Sequence, residues 1–350
     1  MYRNKPYLFP GLILLLILML LMAIGFGAVS ISVADMFSAT RHWFTGNKPA
    51  NIYEGVFLQI RLPRVLLCMV TGAILSVSGV LMQGMFRNPI VEPGLIGTSA
   101  GAAFGASIVF VLSVGMSKEI QQLAGPLLVP LFAFAGGLLA TYIVYTLAKG
   151  NQRMNVTGLL LIGIAINAVG LSGTGFMSYI ARDPQARSIT FWNLGTFSGA
   201  SWLQVWITSV VGVLVFAISI RYAKQLNTLV LGEEEANYAG VDTEKLKRRI
   251  MLYNTAMVSV ATAFVGVISF MGLIVPHVMR LLVGSDNRKL LPASMLAGAI
   301  LLTLADMGAR LLLAPAEVPI GIITSIVGAP VFILLLKRTN LLNAKGGSHD

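Results

Sequence analysis

Uncharged apolar runs of about 20 residues recur from one end of this chain to the other, and they leave few folds open. A bilayer hydrocarbon core about 30 Å thick is crossed by about 20 helical residues, because a helix satisfies its own backbone hydrogen bonds where no water is available. Such runs fall at Leu8–Val29, Val65–Met85, Ile96–Val114, Leu123–Ala148, Val156–Tyr179, Trp202–Arg221, Ile250–Leu273, Val275–Val283, Leu291–Leu313 and Ile320–Leu336. The expected fold is an all-α polytopic membrane protein with about ten transmembrane helices. The eighth run is too short to cross unaided and is expected to lie among neighbouring helices, where a broken helix is tolerated. The first run is longer than a signal-peptide core and lacks a small-x-small cleavage site, so it is expected to be a retained span. Of the 350 residues, 56% are hydrophobic and 11% charged, more apolar than a soluble core of this size needs.

An even number of spans puts both termini on one side. With that side inside, only eight of the 25 lysines and arginines face outwards, so both termini are expected in the cytoplasm. The net charge of +11 then reports orientation, and no nucleic-acid partner is expected. One cysteine, Cys68, sits inside an apolar run, and His42, His277 and His349 are scattered, so neither a disulfide framework nor a metal site is expected. The chain reads as one transmembrane domain over 1–350, with a membrane core at 8–336 and a polar tail at 340–350 expected to be disordered. Asp35–Thr45 suits an amphipathic surface helix, and Ala181–Ser201 a long outer segment.

The most charged stretch is Leu226–Arg249, LNTLVLGEEEANYAGVDTEKLKRR. Gly232 precedes Glu233, Glu234 and Glu235, which suit the positive first turn of a short helix, and Gly240 is placed to end it with a left-handed cap. Asp242 can cap a second helix carrying Glu244 in its first turn and Lys245, Lys247, Arg248 and Arg249 towards its end. Glycines cluster inside spans, at Gly101–Ala106, Gly136–Gly137 and Gly170–Gly175, as close helix packing requires.

Motifs such as HExxH and the phosphate loop GxxxxGK[ST] do not occur, so the chain is not expected to hydrolyse ATP by itself. Ionisable residues in or beside spans are Glu92, Arg280, Asp306, Arg310 and Glu317. Asp306 lies well inside a span with Arg310 four residues later, which suits a structural pair as well as a proton relay. An ion-coupled secondary carrier using Asp306 or Glu92 is therefore the alternative reading. Arg61 and Arg64 flank Pro63, which suits a helix start, so both cations are expected at an outer helix N-terminus, against both the dipole and the positive-inside bias.

Several long segments carry a resemblance. RLPRVLLCMVTGAILSVSGVLMQGMFRNPIVEPGLIGTSAGAAFGA (Arg61–Ala106) closely resembles the signature of FecCD-type permeases, the membrane subunits of ABC importers for iron-siderophores, haem and cobalamin. LGEEEANYAGV (Leu231–Val241), ISFMGLIVPHVMRLLVGSDNRKLLP (Ile268–Pro292), ADMGARLLL (Ala305–Leu313) and EVPIGIITSIVGAPVFILLLKR (Glu317–Arg338) agree with it. The resemblance implies a type II importer permease in a bacterial inner membrane, forming a homodimer around a central pathway. Two ATP-binding subunits would sit below, spending the ATP, and a periplasmic substrate-binding protein above. It also implies that Arg61, Arg64 and Arg310 receive the binding protein's carboxylates, and that Leu231, Gly232, Glu233, Glu234, Glu235, Ala236 and Gly240 form the ATPase coupling contact. SITFWNLGTFSGASW (Ser188–Trp202), with Arg182 and Arg187, looks most like the haem-importing branch, where the two arginines could accept propionates. A ferric siderophore or cobalamin is the other cargo implied. Met177, Met271 and Met307 could line the pathway as soft contacts. No permanently bound cofactor is implied.

Overall fold

The computed structural model describes residues 7–27, 31–115, 118–149, 156–314 and 316–346; at 114, 118–124, 126, 336 and 338–346 only the backbone is described. The helices run in the order α1 (Leu8–Gly25), α2 (Val33–Phe44), α3 (Ile52–Val56), α4 (Leu62–Phe86), α5 (Thr98–Leu112), α6 (Lys118–Ala148), α7 (Val156–Ile180), α8 (Gln185–Asn193), α9 (Trp202–Leu231), α10 (Glu233–Tyr238), α11 (Thr243–Val265), α12 (Met271–Val283), α13 (Asn287–Leu311) and α14 (Ile320–Gly346). Six stretches are long and apolar enough to cross a membrane: α1, the continuous Ile52–Phe86, Leu127–Ala148 of α6, α7, α9 and α13. The remaining expected spans fall on shorter apolar helices, α5, α12 and the first part of α14, and on α11, whose charged first turns precede an apolar stretch. The all-α polytopic fold is as expected.

Helix α4 is the centre of the bundle. It is buried along nearly its whole length and packs on α13, α9, α12 and α11. Lipid supplies no hydrophobic drive for helix association, so close backbone approach has to supply it. A Cβ on Gly72 would meet the carbonyl of Gly298 in α13, and one on Gly79 would meet the carbonyl of Gly272 in α12. Gly101 in α5 and Gly136 in α6 stand in the same relation. The clusters at Gly101–Ala106 and Gly136–Gly137 are therefore packing surfaces.

Several boundaries differ from expectation, each for a local reason. The helix carrying Arg61 and Arg64 starts at Ile52, not beside Pro63, so the two cations lie inside a continuous helix. Pro63 has no N–H to offer Gln59 and crowds its carbonyl; the chain widens into a π-turn over Phe57–Arg61, where the Leu62 N–H bonds to the Phe57 carbonyl. Helix α9 continues ten residues past Arg221 to Leu231. At 1.5 Å per residue it is about 45 Å long, more than the roughly 30 Å hydrocarbon core that it has to cross. Lys245, Lys247, Arg248 and Arg249 sit in the first two turns of α11, not at its end, because α11 runs on into the bundle. The seventh run divides: α11 ends at Val265 and α12 begins at Met271. The break at 266–270 is tolerated because protein groups satisfy it, with the Thr196 N–H donating to Val265 O at 2.8 Å and the Phe270 N–H donating to Glu92 Oε2 at 3.4 Å. Finally, the backbone of α14 stays helical through Gly346, where the polar composition of 340–350 predicts disorder; Leu341, Leu342 and Ala344 continue a helix readily. Residues 347–350, and the expected inner cations Arg3, Lys5 and Arg153, lie outside the described residues.

Candidate functional site

At one end of the bundle the fold gathers the three arginines singled out from the sequence. The Arg64 guanidinium donates through Nε and Nη2 to Asp306 Oδ1, at 3.2 and 2.9 Å, and through Nη1 to Glu317 Oε1 at 2.6 Å. Arg310 reaches the other oxygen of Asp306 in an ion pair at 3.1 Å, so one carboxylate serves two cations. The expected Asp306–Arg310 pair is present, with Arg64 added from a helix far away in sequence. Arg310 also donates to the Ala23 and Phe26 carbonyls, at 3.1 and 3.2 Å, and Arg61 donates to those of Ile24 and Gly25, at 2.8 and 3.0 Å. These carbonyls belong to the last turn of α1 and the residue after it, at the negative end of its dipole, where a helix has no backbone donors of its own left to offer. Arg61, Arg64 and Arg310 are only 5%, 8% and 8% exposed, so in this conformation they bind the chain's own groups and present little surface to a partner. Glu317 is the more open member, its side chain 39% exposed.

At the opposite end, the stretch 231–249 folds as its helix-glycine-helix pattern predicts. Gly232, at φ +148°, precedes α10 with its three acids in the first turn, and Gly240, at φ +83°, turns the chain out of it; both conformations suit a residue without Cβ. The Asp242 side chain accepts from the Lys245 N–H at 3.0 Å, capping α11, and Lys245 holds its carboxyl below the usual carboxylate range. Residues of α10 and the last residue of α9 then face two ways. Leu231 and Tyr238 are 74% and 90% exposed, beside the exposed Glu234 and Glu235. Ala236 is fully buried, and Glu233 turns inwards, pairing with Lys247 of α11 at 2.5 Å and with Arg87, just past α4, at 3.7 Å. The Lys247 side chain is fully buried and takes Glu244 as a second partner at 3.3 Å.

Neither the burial of Lys247 nor the exposure of Tyr238 was read from the sequence. The three-residue spacing of Glu244 and Lys247 was one available signal, and a lone tyrosine in a polar loop was the other.

Where α11 breaks, a cavity of 470 Å³ opens between the 92–96 turn, α5, α7 and the start of α12. Glu92, Ser99, Asn167, Asn193, Thr262 and Ser269 give it a polar lining. Asn167 donates to the Gly94 carbonyl at 3.0 Å, tying α7 to the turn. Asn167 and Asn193 carried no signal in sequence, because isolated asparagines in apolar runs look alike until the fold points them at one space. The expected pathway residues are dispersed. Arg182 and Arg187 are exposed, just after α7 and in α8. Met271 is buried and lines an apolar groove against α13 and α14, whereas Met177 and Met307 are half-buried on α7 and α13.

A further polar clamp joins α9 to the start of α13. Asn227 donates to Asp286 Oδ1 at 2.7 Å and accepts from the Asn287 N–H at 2.8 Å. Arg288, first of all, holds the Asp286 carboxyl well below its usual range.

Comparison with known proteins places this architecture. Residues 14–338 match the model of the FecCD transport family. The hemin transport system permease protein HmuU of Yersinia pestis is 39% identical over 340 residues, covering 96% of this chain and 97% of that one. The cobalamin import system permease protein BtuC of Halobacterium salinarum is 38% identical over 278 residues, covering 79% and 72%. Among solved structures, an inward-facing conformation described as a metal-chelate type ABC transporter superposes with a TM-score of 0.82 at 31% identity, covering 96% of this chain and all of that one. With the fold, the ordered motifs and near full-length relatives in agreement, the chain belongs to the FecCD transport family and is the multi-pass permease of an ABC importer.

Proposed function

We propose that this permease moves haem inward as a homodimer, with both termini in the cytoplasm of a bacterial inner membrane. Two ATP-binding subunits dock on the face that carries α10 and spend the ATP, and a periplasmic substrate-binding protein delivers the ligand to the opposite face. The observation that carries the coupling assignment is the two-sided α10. Leu231, Glu234, Glu235 and Tyr238 lie open for a partner, while Glu233 and Ala236 fasten the helix to α11 and α4. A push on the open side therefore reaches two membrane helices. Replacing 233–241 by a Gly/Ser linker is expected to abolish co-purification of the ATP-binding subunit; retained binding would place the contact elsewhere.

Haem is favoured over ferric siderophores and cobalamin by the two exposed arginines, Arg182 and Arg187, near the outer end of α7, which suit a ligand bearing two carboxylates. The hemin relative, matched along nearly its full length, supports the same choice. Uptake by the reconstituted importer is expected to fall about tenfold or more for haem in Arg182→Gln/Arg187→Gln, on the scale of two charge-assisted contacts. Equal uptake of cobalamin and haem by the wild type would overturn the assignment.

Docking of the binding protein at Arg61, Arg64 and Arg310 is part of this proposal. The partner's carboxylates would compete with Asp306 and Glu317 for arginines already paired, so docking would loosen the α1–α4–α13 junction. Reversing Arg61 and Arg64 to Glu is expected to weaken docking most at low salt.

A further inference from the structure

Arg248 and Arg249 head a groove that transport and coupling leave unused. It lies between the second half of α6 and the charged start of α11 and has a volume of 380 Å³, within the range of ligand pockets. Both walls end at one membrane surface, since α6 finishes at Ala148 before Lys149 and α11 starts beside α10. The groove interior is apolar. Leu138, Tyr142 and Leu252 form its walls, with Tyr142 and Leu252 64% and 61% exposed. The two threonine hydroxyls that reach it are already used: Thr141 pairs with Thr98 at 2.8 Å, and Thr255 donates to the Met251 carbonyl at 2.7 Å.

The charges at its mouth are of a different kind from their neighbours. Lys245 takes Asp242 at 2.8 Å, and Lys247 takes Glu233 and Glu244. Arg248 and Arg249, both exposed, have no carboxylate within 4.0 Å among the described residues. Arg249 is held in place by a hydrogen bond to the Tyr222 hydroxyl at 3.3 Å, and the Tyr222 ring stacks on Tyr253. Two guanidinium forks above an apolar slot, with tyrosines at interface level, complement a phosphate ester bearing a hydrocarbon tail.

We propose that this groove binds an anionic phospholipid of the leaflet on the α10 side, its phosphate held by Arg248 and Arg249 and an acyl chain lying along Leu138, Tyr142 and Leu252. Such a lipid bridges α6 to the base of α11, one turn from the Glu233–Lys247 pair, and makes the stability of that junction depend on leaflet composition. The proposal rests on the membrane fold alone, so its failure leaves the assignment of cargo and partners untouched.

The test uses the full-length protein, delipidated in detergent and then given phosphatidylglycerol, phosphatidylcholine of the same chains, or glycerol phosphate. Bound lipid is read by native mass spectrometry, and stability by thermal unfolding. Phosphatidylglycerol is expected to be retained in preference and to raise the melting temperature, while the other two do neither. Arg248→Gln/Arg249→Gln should cut the preference roughly 25-fold, at about fivefold per cation near the surface. Leu138→Trp, which fills the groove and keeps both charges, should lower retention as well. Equal retention of the two lipids by the wild type, a preference unchanged in both variants, or an equal effect of glycerol phosphate would each overturn it. Displacement of the lipid on dimerisation would also overturn it, assigning the groove to a second copy of the chain.

Discussion

Arg64 and Asp306 stand 242 positions apart in the chain and meet at 2.9 Å inside the bundle, where Asp306 is also paired with Arg310. The carboxylate therefore offsets two guanidinium groups that would otherwise face each other with little water between them. Asp306→Asn is expected to destabilise the protein by on the order of 3 kcal/mol, because it leaves buried cations uncompensated. Thermal unfolding in detergent measures this, and an unchanged melting temperature would show that the pair contributes nothing. ATP-dependent uptake that survives Asp306→Asn, after correction for folded protein, would separate this structural role from ion coupling.

Gly79 and Gly175 look alike in sequence, each a glycine within an apolar helix, but their surroundings differ. The first faces the Gly272 carbonyl, and the second faces open space. Gly79→Ala is expected to cost about 1–3 kcal/mol through overpacking and helix displacement. Gly175→Ala should be neutral or slightly stabilising, since alanine is the better helix former. Parallel thermal melts of the two variants decide it; equal effects would contradict the packing assigned to α4 and α12.

Glu233 and Glu234 are adjacent acids with opposite orientations. Glu233→Gln removes the nearer of the two carboxylates on a fully buried lysine, so it is expected to lower the melting temperature and to expose 231–241 to protease. Glu234→Gln should leave both unchanged and weaken only the affinity for the ATP-binding subunit. Limited proteolysis with a pull-down distinguishes the two, and interchangeable phenotypes would refute the division of α10 into an inner and an outer side.

Asp286 provides a pH-dependent contribution at the α9–α13 clamp. Its folded-state pKa is depressed, chiefly by Arg288, so its stabilisation is fully present above the unfolded value of about 3.9 and is lost as pH falls through the lower folded value. The melting-temperature gap between wild type and Asp286→Asn is therefore expected to be a few degrees near pH 7 and to narrow on acidification below about pH 4. A gap that widens in acid would mean that the clamp works by another route.

Hydrophobic run length was a sound guide to the spans, because the bilayer imposes a length on any helix that crosses it. It failed where the backbone breaks inside protein: Gly266–Phe270 interrupts an apolar run, and nothing in the run itself reveals that Thr196 and Glu92 supply the missing partners. It failed again at Pro63, where local preference points to a helix start and the continuing helix absorbs the proline through a π-turn. The helix-glycine-helix pattern of 231–249 was legible because caps and left-handed turns are decided within a few residues.

Sequence alone determined that this chain is a multi-span α-helical membrane protein, that Gly232, Gly240 and Asp242 delimit α10 and start α11, and that its ordered motifs are those of the FecCD family. Each of these depends on local chemistry or on a long ordered pattern. Only the tertiary structure decided that Arg61 and Arg310 cap the end of α1, that Arg64 shares Asp306 with Arg310, and that Glu233 turns inwards while Glu234 does not. It also decided that Asn167 and Asn193 face one cavity and that Arg248 and Arg249 share a groove. Those outcomes depend on which helices become neighbours, and residues hundreds of positions apart carry no local mark of the partner they will meet.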